Sequence, residues 1–200
     1  MIGVGGGSGA GKGALVAALC RHAGRVAVLD LDSYYLDRAG VAAAERARIN
    51  FDEPAAIDAD LVLQHVATLA GGTPVAKPVY SFATHTRVGA VTMAPAPVVV
   101  VEGLFTLWWP SLRQLLDVAV YVDAPADLRL ARRLERDVRE RGRDLESVLR
   151  QYTDTVRPMH QRYVEPTRGY ADVVIVNDGD LDTSVGAFMK AAESIVTATA

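Results

Sequence analysis

Two hundred residues, half of them hydrophobic, suggest a single domain over residues 1–200 with ample material for a core. The formal net charge of −3 provides no global basic field and so excludes the usual footprint of a nucleic-acid partner. The single cysteine, Cys20, excludes an internal disulfide. With no charged leader, and no apolar run long enough to span a bilayer, the chain is expected to be soluble and cytoplasmic, with no membrane partner.

The chain opens on a short apolar strand at about 1–5. Gly6-Gly7-Ser8-Gly9-Ala10-Gly11-Lys12 follows, and then an Ala/Leu-rich helix at about 11–23, whose apolar stripe includes Cys20 as a small core residue. A second strand at about 25–30 runs into Asp30-Leu31-Asp32-Ser33-Tyr34-Tyr35. A helix at about 58–70 starts on Asp58. Residues 75–94 alternate around a polar turn and read as a β-hairpin. Val98-Val99-Val100-Val101 is a strand of about 97–102, buried on both faces and ending at Glu102-Gly103. Another strand at about 117–122 precedes a helix at about 125–140 that starts at Pro125. A helix at about 144–163, a strand at about 172–176 and a helix at about 181–197 complete the chain. Strands alternating with helices predict an α/β fold with a parallel sheet flanked by helices.

The glycine segment reads G-x-x-x-x-G-K between a strand and a helix, the context in which this motif cradles a triphosphate. Glycines let successive N–H groups turn inward, and the helix adds its positive end. Gly6, Gly7, Ser8, Gly9, Ala10, Gly11, Lys12, Gly13 and Ala14 are therefore the candidate nucleotide-binding residues. Gly5-x-Gly7-x-x-Ala10 also loosely fits a dinucleotide fingerprint, with Asp30 as its acid. Lys12 favours the triphosphate. Gly13 stands where a Ser or Thr hydroxyl would hold Mg²⁺, and Ala14 offers no substitute.

Ligands of open α/β sheets bind beyond the carboxyl ends of the strands. Asp32 and Glu102 follow two such ends and are the candidate Mg²⁺ ligands, and Asp32 is also a candidate base. Residues 129–143 are dense in arginine and are interrupted at Gly142, as expected of a mobile lid over about 125–155 that closes on phosphates. Arg129, Arg132 and Arg139 are expected to be plain surface.

Several segments carry a family resemblance. Asp32-Ser33-Tyr34-Tyr35, Asn50-Phe51-Asp52-Glu53-Pro54, Pro78-Val79-Tyr80-Ser81-Phe82, Thr84-His85-Thr86-Arg87, Val101-Glu102-Gly103, Arg141-Gly142-Arg143-Asp144 with Gln151-Tyr152, and Pro166-Thr167 with Tyr170-Ala171-Asp172 stand in the order of the motifs of the uridine kinase and phosphoribulokinase family. The chain resembles that family from its first strand to about residue 176. The resemblance implies a P-loop kinase fold, ATP and Mg²⁺ as cofactors, a small nucleoside as substrate and a homo-oligomer. It implies that Asp32 takes the proton of a nucleoside 5′-hydroxyl, uridine or cytidine first, and that Asp52 grips the ribose beside Arg133 or Arg136. It further implies that Tyr35, Phe51, Tyr80, Phe82 and His85 line a base pocket, walled by the hairpin. Arg136, Arg141 and Arg143 would meet phosphates, and Arg143 and Gln151 would close the site. Lys12, Arg136 and Arg141 would stabilise the transferred phosphoryl group. Gly13 and Ser81 depart from the family pattern. They leave open a kinase of another small hydroxyl substrate, such as a modified nucleoside or sugar phosphate, or a catalytically silent nucleotide-binding regulator.

Overall fold

The computed structural model describes residues 1–46 and 48–198. In chain order the strands are β1 (Ile2–Gly6), β2 (Val26–Asp30), β3 (Val75–Ser81), β4 (Thr86–Met93), β5 (Val98–Glu102), β6 (Val118–Asp123) and β7 (Val173–Val176). The helices are α1 (Lys12–His22), α2 (Ala43–Arg46), α3 (Ala59–Ala70), α4 (Pro110–Arg113), α5 (Ala126–Arg139), α6 (Leu145–Gln151), α7 (Arg157–Met159) and α8 (Leu181–Ala198). Five strands form one sheet in the order β2-β5-β1-β6-β7, and every pairing in it is parallel. The expected α/β architecture is present, with each main element within a residue or two of its expected place.

The run of four valines shows why the sheet is buried on both faces. Side chains alternate along a strand. Val98 and Val100 join Ile2, Val4, Leu15, Leu19 and Phe188 in the core beneath α1 and α8. Val99 and Val101 join Leu29, Val62, Val66 and Tyr121 in the core beneath α3. A strand apolar at every position therefore serves two layers.

β3 and β4 form the expected antiparallel hairpin, paired from Val75 opposite Met93 to Ser81 opposite Thr86, with a register shift between Val79 and Tyr80. Two ion pairs fix it, one to the sheet and one to the start of α3. Lys77 pairs with Asp30 at the end of β2, and Arg87 donates to Asp58 at 3.0 Å. Asp58 is also the cap of α3, accepting from Leu61 N at 3.2 Å, as its sequence position predicts.

The expected helix at 144–163 is modified. After α6 the backbone widens into π-helical turns at Tyr152–Val156 and His160–Val164, with the short α7 between them. Each widened turn places a polar side chain, Thr155 or His160, into the region described next.

Candidate active site

The parallel register brings three strand ends to one edge of the sheet. Glu102 lies opposite both Val4 and Asp30, so the loop after β1, the turn after β2 and the end of β5 converge. They open on a cavity of about 910 Å³.

At one end lies the glycine loop. Gly9 and Gly11 have left-handed backbone (φ 78° and 98°), and a Cβ on either would fall on the main-chain oxygen of Arg129 or the side chain of Asn177. The loop is thus held tightly enough that only glycine fits. Asn177 closes it from below, donating from Nδ2 to the Ala10 carbonyl at 2.8 Å. Lys12 Nζ donates to the carbonyls of Gly6 and Gly7 at 3.0 and 3.1 Å, so the ammonium lies over the loop. Burial lowers its pKa, opposed by Glu102 and Asp32. Ser8, Gly9, Gly11, Lys12 and Gly13 line the cavity. Gly6 and Gly7 contribute the carbonyls that hold Lys12, Ala10 is buried beneath the loop, and Ala14 is exposed on α1 outside the lining.

Asp32 reaches the cavity from a 3-10 turn at Leu31–Tyr34. Asp30 caps this turn, accepting from Ser33 N at 2.9 Å, while Leu31 and Tyr34 point into the core. Asp32 and Glu102 both line the cavity, and burial raises the pKa of each, opposed by Lys12. These two carboxylates suit a hard divalent cation that keeps water and phosphate oxygens as its other ligands. Among the described residues no group of three or more His, Cys, Asp and Glu side chains is placed to hold a metal ion. Gly13 has no side chain to add a ligand.

The opposite end is aromatic. Tyr35 stands perpendicular to Phe51, with centroids 5.5 Å apart, and tilts against Tyr80 at 5.2 Å. His85 stacks on Phe51 at 4.6 Å, held there by a left-handed φ of 55° at the tip of the hairpin. Phe82 packs edge-on against Tyr80, and Arg141 covers its other face at 5.0 Å. Two polar atoms are buried here without a hydrogen-bond partner, Tyr80 Oη and His85 Nδ1. Burial, Arg46 and Arg143 together lower the pKa of His85.

Between the two ends lies Asp52, which is buried. Its Oδ2 accepts from Thr155 Oγ1 at 2.7 Å and from Gln151 Nε2 at 3.4 Å. Gln151 Oε1 in turn accepts from Arg133 Nη2 at 2.9 Å and Arg143 Nη1 at 2.7 Å. Arg133 Nη1 donates to Ser8 Oγ at 3.0 Å. A continuous chain of hydrogen bonds thus runs from the glycine loop to Asp52. Arg136, Arg141 and Arg143 line the cavity with Arg133, so the four arginines expected at the site converge on it.

Two of the three arginines expected at the surface are elsewhere. Arg129 is buried, donates from Nε to the Ala124 carbonyl at 3.0 Å and packs over Gly7. Arg132 lines the cavity and donates to the main-chain and side-chain oxygens of Asn177, both at 3.3 Å. The α5 face that looks solvated by periodicity instead faces the glycine loop. Arg139 is exposed as expected and pairs with Glu135 at 2.5 Å.

Sequence reasoning missed Asn177, Asp137 and His160. His160 lies against Gly7, its Nδ1 buried without a partner, and burial with Arg129 and Lys12 pushes its pKa down to about 4. Nothing in the spacing of the histidines signals this. Asp137, four residues after Arg133 within an arginine run, carried a readable signal.

The model of the Phosphoribulokinase / Uridine kinase family matches residues 1–184. Among curated proteins, the chain is 46% identical to a uridine kinase of Geobacillus sp. (strain WCH70) over 182 residues, 90% of this chain and 86% of the relative. It is 41% identical to a uridine kinase of Anoxybacillus flavithermus over 199 residues, 98% of this chain and 94% of the relative. Solved structures of the same fold include phosphoribulokinase from Rhodobacter spheroides (TM-score 0.66, 16% identity, 92% of this chain and 72% of that one). Another is D-glycerate 3-kinase from Cryptococcus neoformans (TM-score 0.61, 19% identity, 81% and 78%).

Proposed function

This chain belongs to the phosphoribulokinase and uridine kinase family, and we propose that it transfers the γ-phosphoryl group of ATP to the 5′-hydroxyl of a pyrimidine nucleoside, uridine or cytidine. It is a phosphotransferase with an alcohol acceptor. Among the described residues no helix is long and apolar enough to cross a membrane.

One observation carries the choice of acceptor. The cavity that holds the glycine loop and Asp32 ends in an aromatic box with two buried, unpartnered polar atoms, Tyr80 Oη and His85 Nδ1. An unsatisfied buried polar group is costly, so a box of this kind favours a flat ligand that carries hydrogen-bonding atoms on its edge. A sugar phosphate has no planar ring to lie against Tyr35, Phe51 and His85. Asp52, set between the box and the glycine loop, suits the hydroxyls of a ribose.

In this reading the glycine loop and Lys12 receive the triphosphate, and Arg136, Arg141 and Arg143 meet its outer charge. Asp32 and Glu102 are the residues that would hold Mg²⁺, which would supply charge neutralisation for the phosphates. Asp32 accepts the proton of the attacking hydroxyl. Tyr35, Phe51 and Phe82 exclude water and orient the acceptor.

The test is to incubate the protein with ATP, Mg²⁺ and a panel of nucleosides and sugar phosphates, and to identify products by mass spectrometry. Uridine or cytidine monophosphate should form and should disappear with Asp32→Asn. Product from a sugar phosphate alone would overturn the acceptor, and unchanged turnover in Asp32→Asn would overturn the base.

A further inference from the structure

Asp137 has no place in the reaction described above, yet it is the most completely enclosed acid of the region. Its side chain is 0% exposed. Four guanidiniums surround it. Arg136 approaches Oδ1 at 2.8 Å and Arg141 at 3.5 Å, while Arg143 approaches Oδ2 at 3.4 Å and Arg133 at 3.6 Å. The Asp137 carbonyl also accepts from Arg143 N at 3.0 Å, which folds the turn after α5 back onto the helix. One carboxylate thus gathers cations from both sides of Gly142, itself left-handed at φ 62°.

Four positive charges against one negative leave a formal surplus of three facing the cavity. Without the acid, like charges within a few ångströms of one another would splay into solvent. With it, they are prearranged but not neutralised. Preorganised donors stabilise developing charge better than mobile ones because they do not reorganise as the reaction proceeds.

We propose that Asp137 is a positioning residue, the internal counter-ion that holds Arg133, Arg136, Arg141 and Arg143 in the arrangement a polyphosphate needs and that tempers their pull on it. The proposal rests on the reading of the cavity as a triphosphate site. Asp137 touches no substrate. It trades affinity for order.

Two effects follow for Asp137→Asn, which keeps shape and removes charge. Removing one negative charge from among the cations should tighten binding of inorganic tripolyphosphate about tenfold at low salt, and the gap should narrow as salt rises. Loosened guanidiniums should lower kcat about tenfold. A purely structural role would reduce the folded fraction without altering the affinity of the molecules that remain folded.

The experiment is calorimetric titration of tripolyphosphate into both proteins at two salt concentrations, paired with kcat in the ATP assay. Tighter, more salt-sensitive binding with lower kcat supports the proposal. Equal affinities and salt slopes overturn it and leave the triphosphate reading standing. No binding to the unaltered protein overturns both. Should Asp137→Asn fail to fold, nitrogen-15 spectra of the unaltered protein decide. Arg136 Nε, which donates to Asp137 at 2.9 Å, should give a resolved, slowly exchanging signal without ligand. Rapid exchange like that of exposed Arg139 would overturn the proposal.

Discussion

Arg133 donates from Nη1 to the hydroxyl of Ser8 at 3.0 Å, a contact between α5 and the glycine loop across 125 positions of chain. Its other terminal nitrogen reaches Gln151, which in turn donates to Asp52. One planar fork therefore spans the two halves of the cavity. Lysine cannot reproduce two divergent bonds from a rigid plane. Arg133→Lys should lower kcat/KM about a hundredfold for both ATP and nucleoside, since misplacement at either end costs rate. Steady-state kinetics with each substrate varied in turn would check this. A loss confined to one substrate would show that the fork serves one end only.

His160 gives the fold a defined sensitivity to acid. Its pKa is lowered from the ordinary 6.5 to about 4, by burial first and then by Arg129 and Lys12. The unfolded chain therefore binds a proton at higher pH than the folded one. The stability contributed is present in full above about 6.5 and is lost as pH falls from there towards about 4. Melting temperature measured across that window should fall less steeply in His160→Gln than in the unaltered protein. Parallel curves would mean that the ring titrates normally.

The elements and the acids at strand ends were legible because their signals are local. Four consecutive valines state a doubly buried strand, and Asp32 and Glu102 follow from where strands end. The floor of the site was not legible, because it is made by distant pairs. Asn177 reaches Ala10 across 167 positions, and the Arg129 side chain lies over Gly7 although periodicity alone puts it on a solvated face. The π-helical turns were equally hidden. One extra residue per turn leaves no mark in composition, yet it turns Thr155 towards Asp52 and His160 towards Gly7. Such turns are frequent at functional sites for this reason.

Gly13 is the departure with the clearest reversal. A Cβ built there meets nothing within 4 Å, and the residue lies in the first turn of α1. Gly13→Ser should therefore fit without strain and stabilise the helix by about 0.5 kcal/mol through lower backbone entropy in the unfolded chain. Its hydroxyl would stand where P-loops hold Mg²⁺. The Mg²⁺ concentration for half-maximal turnover should drop several-fold, about what one added ligand contributes to a shell otherwise rich in water. Melting curves and Mg²⁺ titrations measure the two effects separately. A higher melting temperature with an unchanged Mg²⁺ requirement would show that water and the two carboxylates already complete the metal shell.

Arg87 separates acceptor binding from triphosphate binding. It stands on β4, donates from Nε to the Tyr35 carbonyl at 3.0 Å and from Nη2 to Asp58 at 3.0 Å, and so fixes the hairpin tip that carries His85 beside Phe51. It has no contact with the glycine loop. Hydrogen bonds to charged groups contribute about 1.5–3 kcal/mol, so Arg87→Gln should raise the nucleoside KM at least about tenfold. The hairpin base stays attached through Lys77 and Asp30, and the protein should remain folded. The KM for ATP should stay within about twofold, because uniform loss of acceptor binding leaves the other substrate's site intact. An equal rise in both constants would mean that the hairpin and the glycine loop move as one body, and the aromatic box would then have to be treated as part of the triphosphate site.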